Sequence, residues 1–68
     1  MKSDELEIGA VYEYREPHGS AELVRVVNRN APDRKRYPLR CTVHFLGESA
    51  KVDRAVISEY ITRKVLSS

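Results

Sequence analysis

Two apolar-alternating runs decide the fold of this chain: AELVRVV, residues 21–27, and LRCTVHFL, residues 39–46. Successive side chains of a β-strand point to opposite faces, so a period of two among β-branched and aromatic residues predicts a strand in each run. The second run has one wholly apolar face: Leu39, Cys41, Val43 and Phe45. We expect that face to be buried, and we expect the first run to contact apolar groups on both of its faces. Together the two runs predict a β-hairpin.

The segment between the two runs is basic and irregular: NRNAPDRKRYP, residues 28–38. Its two prolines and two asparagines interrupt the alternation and favour a loop. The segment has 11 residues, whereas connections in compact domains commonly have about four to six. In a small domain a loop of this length is more often functional than a tight turn is.

Charge is unevenly distributed, although the formal net charge is only +2. Residues 1–24 hold two basic and six acidic residues, a balance of −4, and residues 25–40 hold six basic and one acidic, a balance of +5. The candidate binding site is the set of cations and one aromatic residue in the basic segment and at its base: Arg29, Arg34, Lys35, Arg36, Tyr37 and Arg40. Such asymmetry predicts a negatively charged partner.

Nucleic acid is the partner that this set of residues fits best. Clustered cations replace the counterions condensed on phosphates, and Tyr37 is placed to stack on an unpaired base. The alternative is a protein-interaction adaptor or inhibitor that binds an acidic protein surface or a modified peptide. The residues leave DNA, RNA and protein open as partners.

The rest of the chain predicts a single small β-rich domain, residues 8–68, after a flexible acidic arm, residues 1–7. The alternating run at 10–16 predicts the first strand, and the proline and glycine at 17–20 predict a turn. Three apolar residues are expected on faces opposite the core: Val11, Leu23 and Val27. Either the sheet curves enough to use both faces, or these residues are covered in a homodimer or by a larger partner.

The C-terminal part has two interpretations. In the first, 50–54 is a short returning strand, 55–60 a helical or 3₁₀ turn, and 61–66 a closing strand. In the second, Asp53 caps a helix at 54–66. The β-branched residues favour strand, whereas the apolar spacing favours helix.

With the strands in this order, the chain resembles the SH3-like small barrels, particularly the Tudor, chromo-barrel and KOW-like members. Four features carry the resemblance: IGAVY at 8–12, AELVRVV at 21–27, CTVHFLG at 41–47, and Ile57 near a short turn before a final strand. The resemblance covers about residues 8–66. It implies a mainly β fold, a small barrel of about five short strands; the alternative is a three-stranded antiparallel sheet followed by the C-terminal helix.

Many members of that class bind methylated lysine or arginine in a cage of aromatic side chains, which attract a cation through their ring faces. The aromatic residues of this chain are Tyr12, Tyr14, Tyr37, Phe45 and Tyr60. Where a Tudor domain tends to carry an acidic-aromatic-glycine turn, this chain has Leu46-Gly47-Glu48. We therefore expect Phe45 to serve as core packing.

The single cysteine and the absence of a long apolar run limit the compartment in which the chain is expected. The single cysteine rules out an intramolecular disulfide and favours a reducing, intracellular compartment, cytoplasmic, nucleoid or nuclear. No apolar run has membrane-spanning length.

Cys41 and His44 have Cys-x-x-His spacing, but on a strand they fall on opposite faces, so we expect no metal site and a buried thiol. With no glycine-rich phosphate loop and no nucleophile beside a base, we expect a non-enzymatic binding module without a cofactor.

Overall fold

The computed structural model describes residues 2–29, 40–49 and 52–67. Within these ranges the chain forms five strands: β1 (Val11–Tyr14), β2 (Glu22–Asn28), β3 (Arg40–Phe45), β4 (Asp53–Ile57) and β5 (Ile61–Leu66). A 3₁₀ turn at Ser3–Glu5 precedes β1, and a second at Ser58–Tyr60 joins β4 to β5. All strand pairs are antiparallel, in the order β4-β3-β2-β1-β5. The prediction of a mainly β fold is confirmed.

The sheet curls, because its two edge strands are consecutive in the chain. Only Ser58–Tyr60 separates β4 from β5. The edges of a flat five-stranded sheet lie about 19 Å apart, whereas three residues of 3₁₀ helix rise about 6 Å. Register shifts between Val26 and Asn28 of β2, and in the β1–β5 pair, mark bulges that bend the strands. We call the face of the sheet that carries the buried residues the inner face.

That inner face holds the core. Its residues come from every strand and from the segment before β1: Leu6, Ala10, Tyr12, Tyr14, Val24, Val26, Cys41, Val43, Val56 and Ile61. The apolar face predicted for β3 is confirmed at Cys41 and Val43, which are fully buried. Phe45 is half-buried and packs against the same cluster, and Leu39 lies outside the described residues.

The alternative prediction of a C-terminal helix at 54–66 is wrong. Residues 54–66 continue β4, pass through the second 3₁₀ turn and form β5, as in the first interpretation, although β4 runs to Ile57 and the turn is correspondingly short. Branching at Cβ restricts rotamers in a helix and packs well on a pleated surface, so the β-branched residues of this segment prevail over its apolar spacing.

Val11 departs from the expectation for the outer face. It is 4% exposed, whereas Leu23 and Val27, expected on the same side, are 45% and 40% exposed. Val11 pairs with Arg25 of β2 and with Leu66 of β5. Arg25 reaches along the sheet to donate from Nη1 to the Gly9 carbonyl oxygen at 2.6 Å, so its aliphatic stem lies on the same face as Val11.

The segment predicted as a flexible arm contributes a core residue. Leu6 is 1% exposed. The amide of Glu7 donates to the Tyr12 hydroxyl at 2.8 Å, and the Glu7 carboxylate lies 2.6 Å from Lys64 Nζ. The hydrogen bond from Lys64 Nζ to the Glu7 carboxylate raises the pKa of Lys64. The mobility of residues 1–7 stays a prediction, but Leu6 is packed against the sheet.

Candidate nucleic-acid interface

The basic segment begins where β2 ends and finishes where β3 begins. The last paired residues of the β2–β3 hairpin are Asn28 and Thr42. Arg29 follows Asn28 directly, and Arg40, the first residue of β3, lies two positions before Thr42. The structure therefore brings Arg29 and Arg40 to the same end of the hairpin. The other predicted site residues lie outside the described ranges: Arg34, Lys35, Arg36 and Tyr37.

Two arginines of this region bind backbone carbonyls. Arg29 Nε donates to the Leu6 carbonyl oxygen at 2.8 Å, and Arg25 Nη1 donates to that of Gly9. Both side chains are exposed. A carbonyl oxygen orients a guanidinium but does not cancel its charge, and each guanidinium has five N–H donors. Further donors therefore remain available to a ligand.

Three cations of the described residues are paired with carboxylates. Arg54 lies 2.9 Å from Glu48, Arg63 lies 3.0 Å from Glu13, and Lys64 pairs with Glu7. By contrast, no carboxylate within the described ranges forms an ion pair with Arg25 or Arg29. We call Arg25, Arg29, Arg40 and the basic segment between them the cationic end.

Sequence reasoning left Arg25 out of the site. The signal was the charge itself, because Arg25 begins the stretch of residues 25–40 that holds six basic residues. What the sequence did not reveal was the acceptor. Gly9 lies on a neighbouring segment, brought there when its amide donates to the Val26 carbonyl oxygen at 2.8 Å.

The cysteine and histidine next to this region do not converge. Cys41 is fully buried in the core, and His44 pairs with Arg25 on the opposite face of the sheet. Burial raises the pKa of the Cys41 thiol to about 11, so the thiol is neutral at physiological pH. Among the residues that the structure describes, no three histidine, cysteine or acidic side chains are grouped as metal ligands would be.

Aromatic residues meet at the opposite end of the β2–β3 hairpin. The Tyr14 ring packs edge to face against Phe45 at 5.4 Å between centroids, and against Tyr60 at 6.3 Å. The Arg54 guanidinium lies over the Phe45 ring, 5.8 Å from its centroid. Phe45 thus packs against the core cluster and also lies under a cation of the same chain, so its role is wider than the predicted core packing.

The Tyr14 hydroxyl is fixed by its surroundings. It donates to Glu16 Oε1 at 2.9 Å. Burial is the main cause that raises the pKa of Tyr14, and the bond to Glu16 adds to it. The phenol therefore remains a donor throughout the physiological range and holds the Glu16 carboxylate at the rim of the aromatic cluster.

Acidic and basic side chains consequently lie at different ends of the hairpin. β2 has seven residues from Glu22 to Asn28, and a strand of that length spans about 20 Å. Glu16, Glu22 and Glu48 lie near its beginning, with the aromatic residues, whereas Arg29 follows its last residue. These three carboxylates and Arg29 therefore lie at opposite ends of β2.

Comparison of the chain with protein-family models, curated proteins and solved structures finds no match. Within the described ranges, no helix has the length and apolar character that crossing a membrane requires.

Proposed function

We propose that this chain is a non-enzymatic nucleic-acid-binding module built on an SH3-like small β-barrel. Three features support that architecture: the strand order, the curl of the sheet, and the 3₁₀ turn between β4 and the last strand. A fold of this kind serves many functions, so the choice of ligand depends on the site.

The observation that carries the proposal is the state of Arg25 on β2 and of Arg29 directly after it. Arg25 and Arg29 are exposed, oriented by backbone carbonyls, and without an ion pair to the described carboxylates. They continue directly into the basic segment, whose charge is known from the sequence. A row of oriented, uncompensated guanidinium groups suits phosphates, which accept two N–H bonds from one guanidinium.

The number of cations sets the expected salt dependence. Six basic residues lie in the cationic end, from Arg25 to Arg40. If each contacts one phosphate, the slope of log K against log salt is about −4 for a single strand and about −5 for a duplex. Phosphate contacts alone carry no sequence information, so binding is expected to be weakly sequence-dependent.

A protein partner is the second candidate, and one observation favours it. Leu23 and Val27 are exposed on β2 on either side of Arg25. An acidic protein with an apolar centre would cover these side chains. Such an interface would lose mainly its association rate as salt rises, and its affinity would not fall log-linearly.

Fluorescence anisotropy with labelled oligonucleotides tests the nucleic-acid proposal. Arg29→Ala is expected to weaken binding several-fold and to reduce the magnitude of the salt slope by about 0.7–0.9, because one phosphate contact is lost. Arg15→Ala is the matched control, since Arg15 is an exposed cation outside the cationic end. Equal effects of the two substitutions, or a slope unchanged by Arg29→Ala, would argue against the site. Circular dichroism of each variant verifies that it is folded.

A further inference from the structure

A second surface lies at the other end of the hairpin. It consists of two depressions that share Glu22, and we call them together the acidic groove. Leu23, Phe45, Leu46 and Glu48 line the first depression, and Glu16 and Ser20 line the second. The part over Leu23 and Leu46 has a volume of about 440 Å³.

The floor of the groove is preformed and apolar. Leu23 is 45% and Leu46 39% exposed. A backbone hydrogen bond holds the two residues together: the Leu46 amide donates to the Leu23 carbonyl oxygen at 3.1 Å. The turn that follows is closed by the Glu48 amide, which donates to the Phe45 carbonyl oxygen at 3.1 Å. A β-carbon at Gly47 would meet no atom within 4 Å, so the groove is open on that side.

Charge determines what the floor can accept. Three carboxylates line the groove, and no basic residue lines its two parts over Leu23 and over Ser20. Glu48 is paired with Arg54, and Glu16 accepts the Tyr14 hydroxyl, which leaves its negative charge in place. Glu22 forms no ion pair with a described residue. Acidic side chains beside an apolar floor disfavour nucleic acid and favour a ligand with both apolar and cationic parts.

We propose that the acidic groove binds an extended basic peptide segment of a partner protein, with an apolar side chain or an aliphatic lysine stem on Leu23 and Leu46 and its cations beside Glu16 and Glu22. A lysine or arginine side chain matches this surface because its stem is apolar and its end is charged. The Phe45 ring already carries the Arg54 guanidinium, so that face of the groove is occupied by the chain's own cation. The groove and the cationic end are separate sites with ligands of opposite charge.

Amide chemical-shift titration of the full chain measures this binding. The probe is a capped heptapeptide that alternates leucine and lysine, and its matched control has glutamate in place of lysine. The lysine peptide is expected to shift the amides of residues 22–23 and 46–48 and to leave those of Arg25 and Arg29 in place. Shifts with the glutamate peptide alone, or no shift in the groove with the lysine peptide, would overturn the proposal. Groove shifts that depend on protein concentration without peptide would show a second copy as the occupant and would also overturn it.

Substitutions in the groove give a second readout. The double variant Glu16→Gln with Glu22→Gln is expected to weaken the lysine peptide about tenfold, because two exposed pairs are lost. Glu59→Gln, an exposed carboxylate outside the groove, is expected to change affinity less than about twofold. Arg54→Gln frees Glu48 and is expected to tighten binding. If Glu59→Gln weakens binding as much as one groove substitution does, the attraction is general and the groove is not the site. None of these outcomes depends on nucleic-acid binding at the cationic end.

Discussion

Replacing Leu6 with alanine tests whether the segment before β1 belongs to the folded unit. Leu6 is 1% exposed and sits in the core cluster. Truncating a buried leucine to alanine costs about 2–5 kcal/mol, depending on how far the site collapses. A chain of 68 residues has a free energy of unfolding of about 3–10 kcal/mol at typical values per residue. One side chain outside every strand therefore accounts for a large share of the stability.

The assay is urea and thermal unfolding followed by circular dichroism. In a domain of this size each kcal/mol lowers the melting temperature by about 4–8 °C, so Leu6→Ala is expected to lower it by at least about 8 °C. Ile8→Ala is the matched control, because Ile8 is 52% exposed two residues away. Its expected loss is below about 1 kcal/mol. If the two variants lose equal stability within about 0.5 kcal/mol, the packing of Leu6 described above is incorrect.

Two further predictions concern the Cys41 thiol and the basic segment. Since burial raises the pKa of the Cys41 thiol, the folded state holds its proton to higher pH than the unfolded state does. The associated stability is complete below about pH 9 and is lost as pH rises through about 11; the ¹³Cβ chemical shift of Cys41 against pH measures the folded pKa, and an ordinary value would contradict the burial. Replacing Arg34, Lys35 and Arg36 together with alanine is expected to change the free energy of unfolding by less than about 0.5 kcal/mol. A clearly larger loss in urea unfolding would mean that the basic segment is structural.

The strands were predictable because their information is local. Alternation in the runs at 21–27 and 39–46 identifies β2 and β3, and the buried face follows from the same period. The C-terminal segment was ambiguous for a physical reason. A few apolar residues fit both a helical and an extended period, and pairing of β4 with β3 and of β5 with β1 adds to the β-branched preference for strand.

The burial of Leu6 and Val11 was not predictable from local pattern. Leu6 is the one apolar residue in an acidic stretch, and nothing near it in sequence indicates that it docks on the sheet. Val11 pairs across the sheet with residues that are far away in the chain, Arg25 and Leu66. The pairing of distant strands and the contacts of Glu7 with Tyr12 and Lys64 supply information that the local sequence lacks.

The two candidate sites also differ in how far the sequence predicts them. The cationic end is evident in the sequence as a run of charge, and the structure adds Arg25 and the orientation of Arg29. The acidic groove has no sequence signal, because its carboxylates come from separate turns and strands that meet only in the folded chain.

Binding of nucleic acid at the cationic end is tested most directly by amide chemical-shift titration with single-stranded DNA, duplex DNA and RNA at near-physiological salt. The expected shifts lie between Arg25 and Arg40. The binding constant obtained from them is expected to fall steeply as salt rises, with a slope of log K against log salt of about −4 to −5 when all six cations contact phosphates. If the amides of residues 28–40 stay in place with all three nucleic acids, the chain is not a nucleic-acid-binding module of this kind.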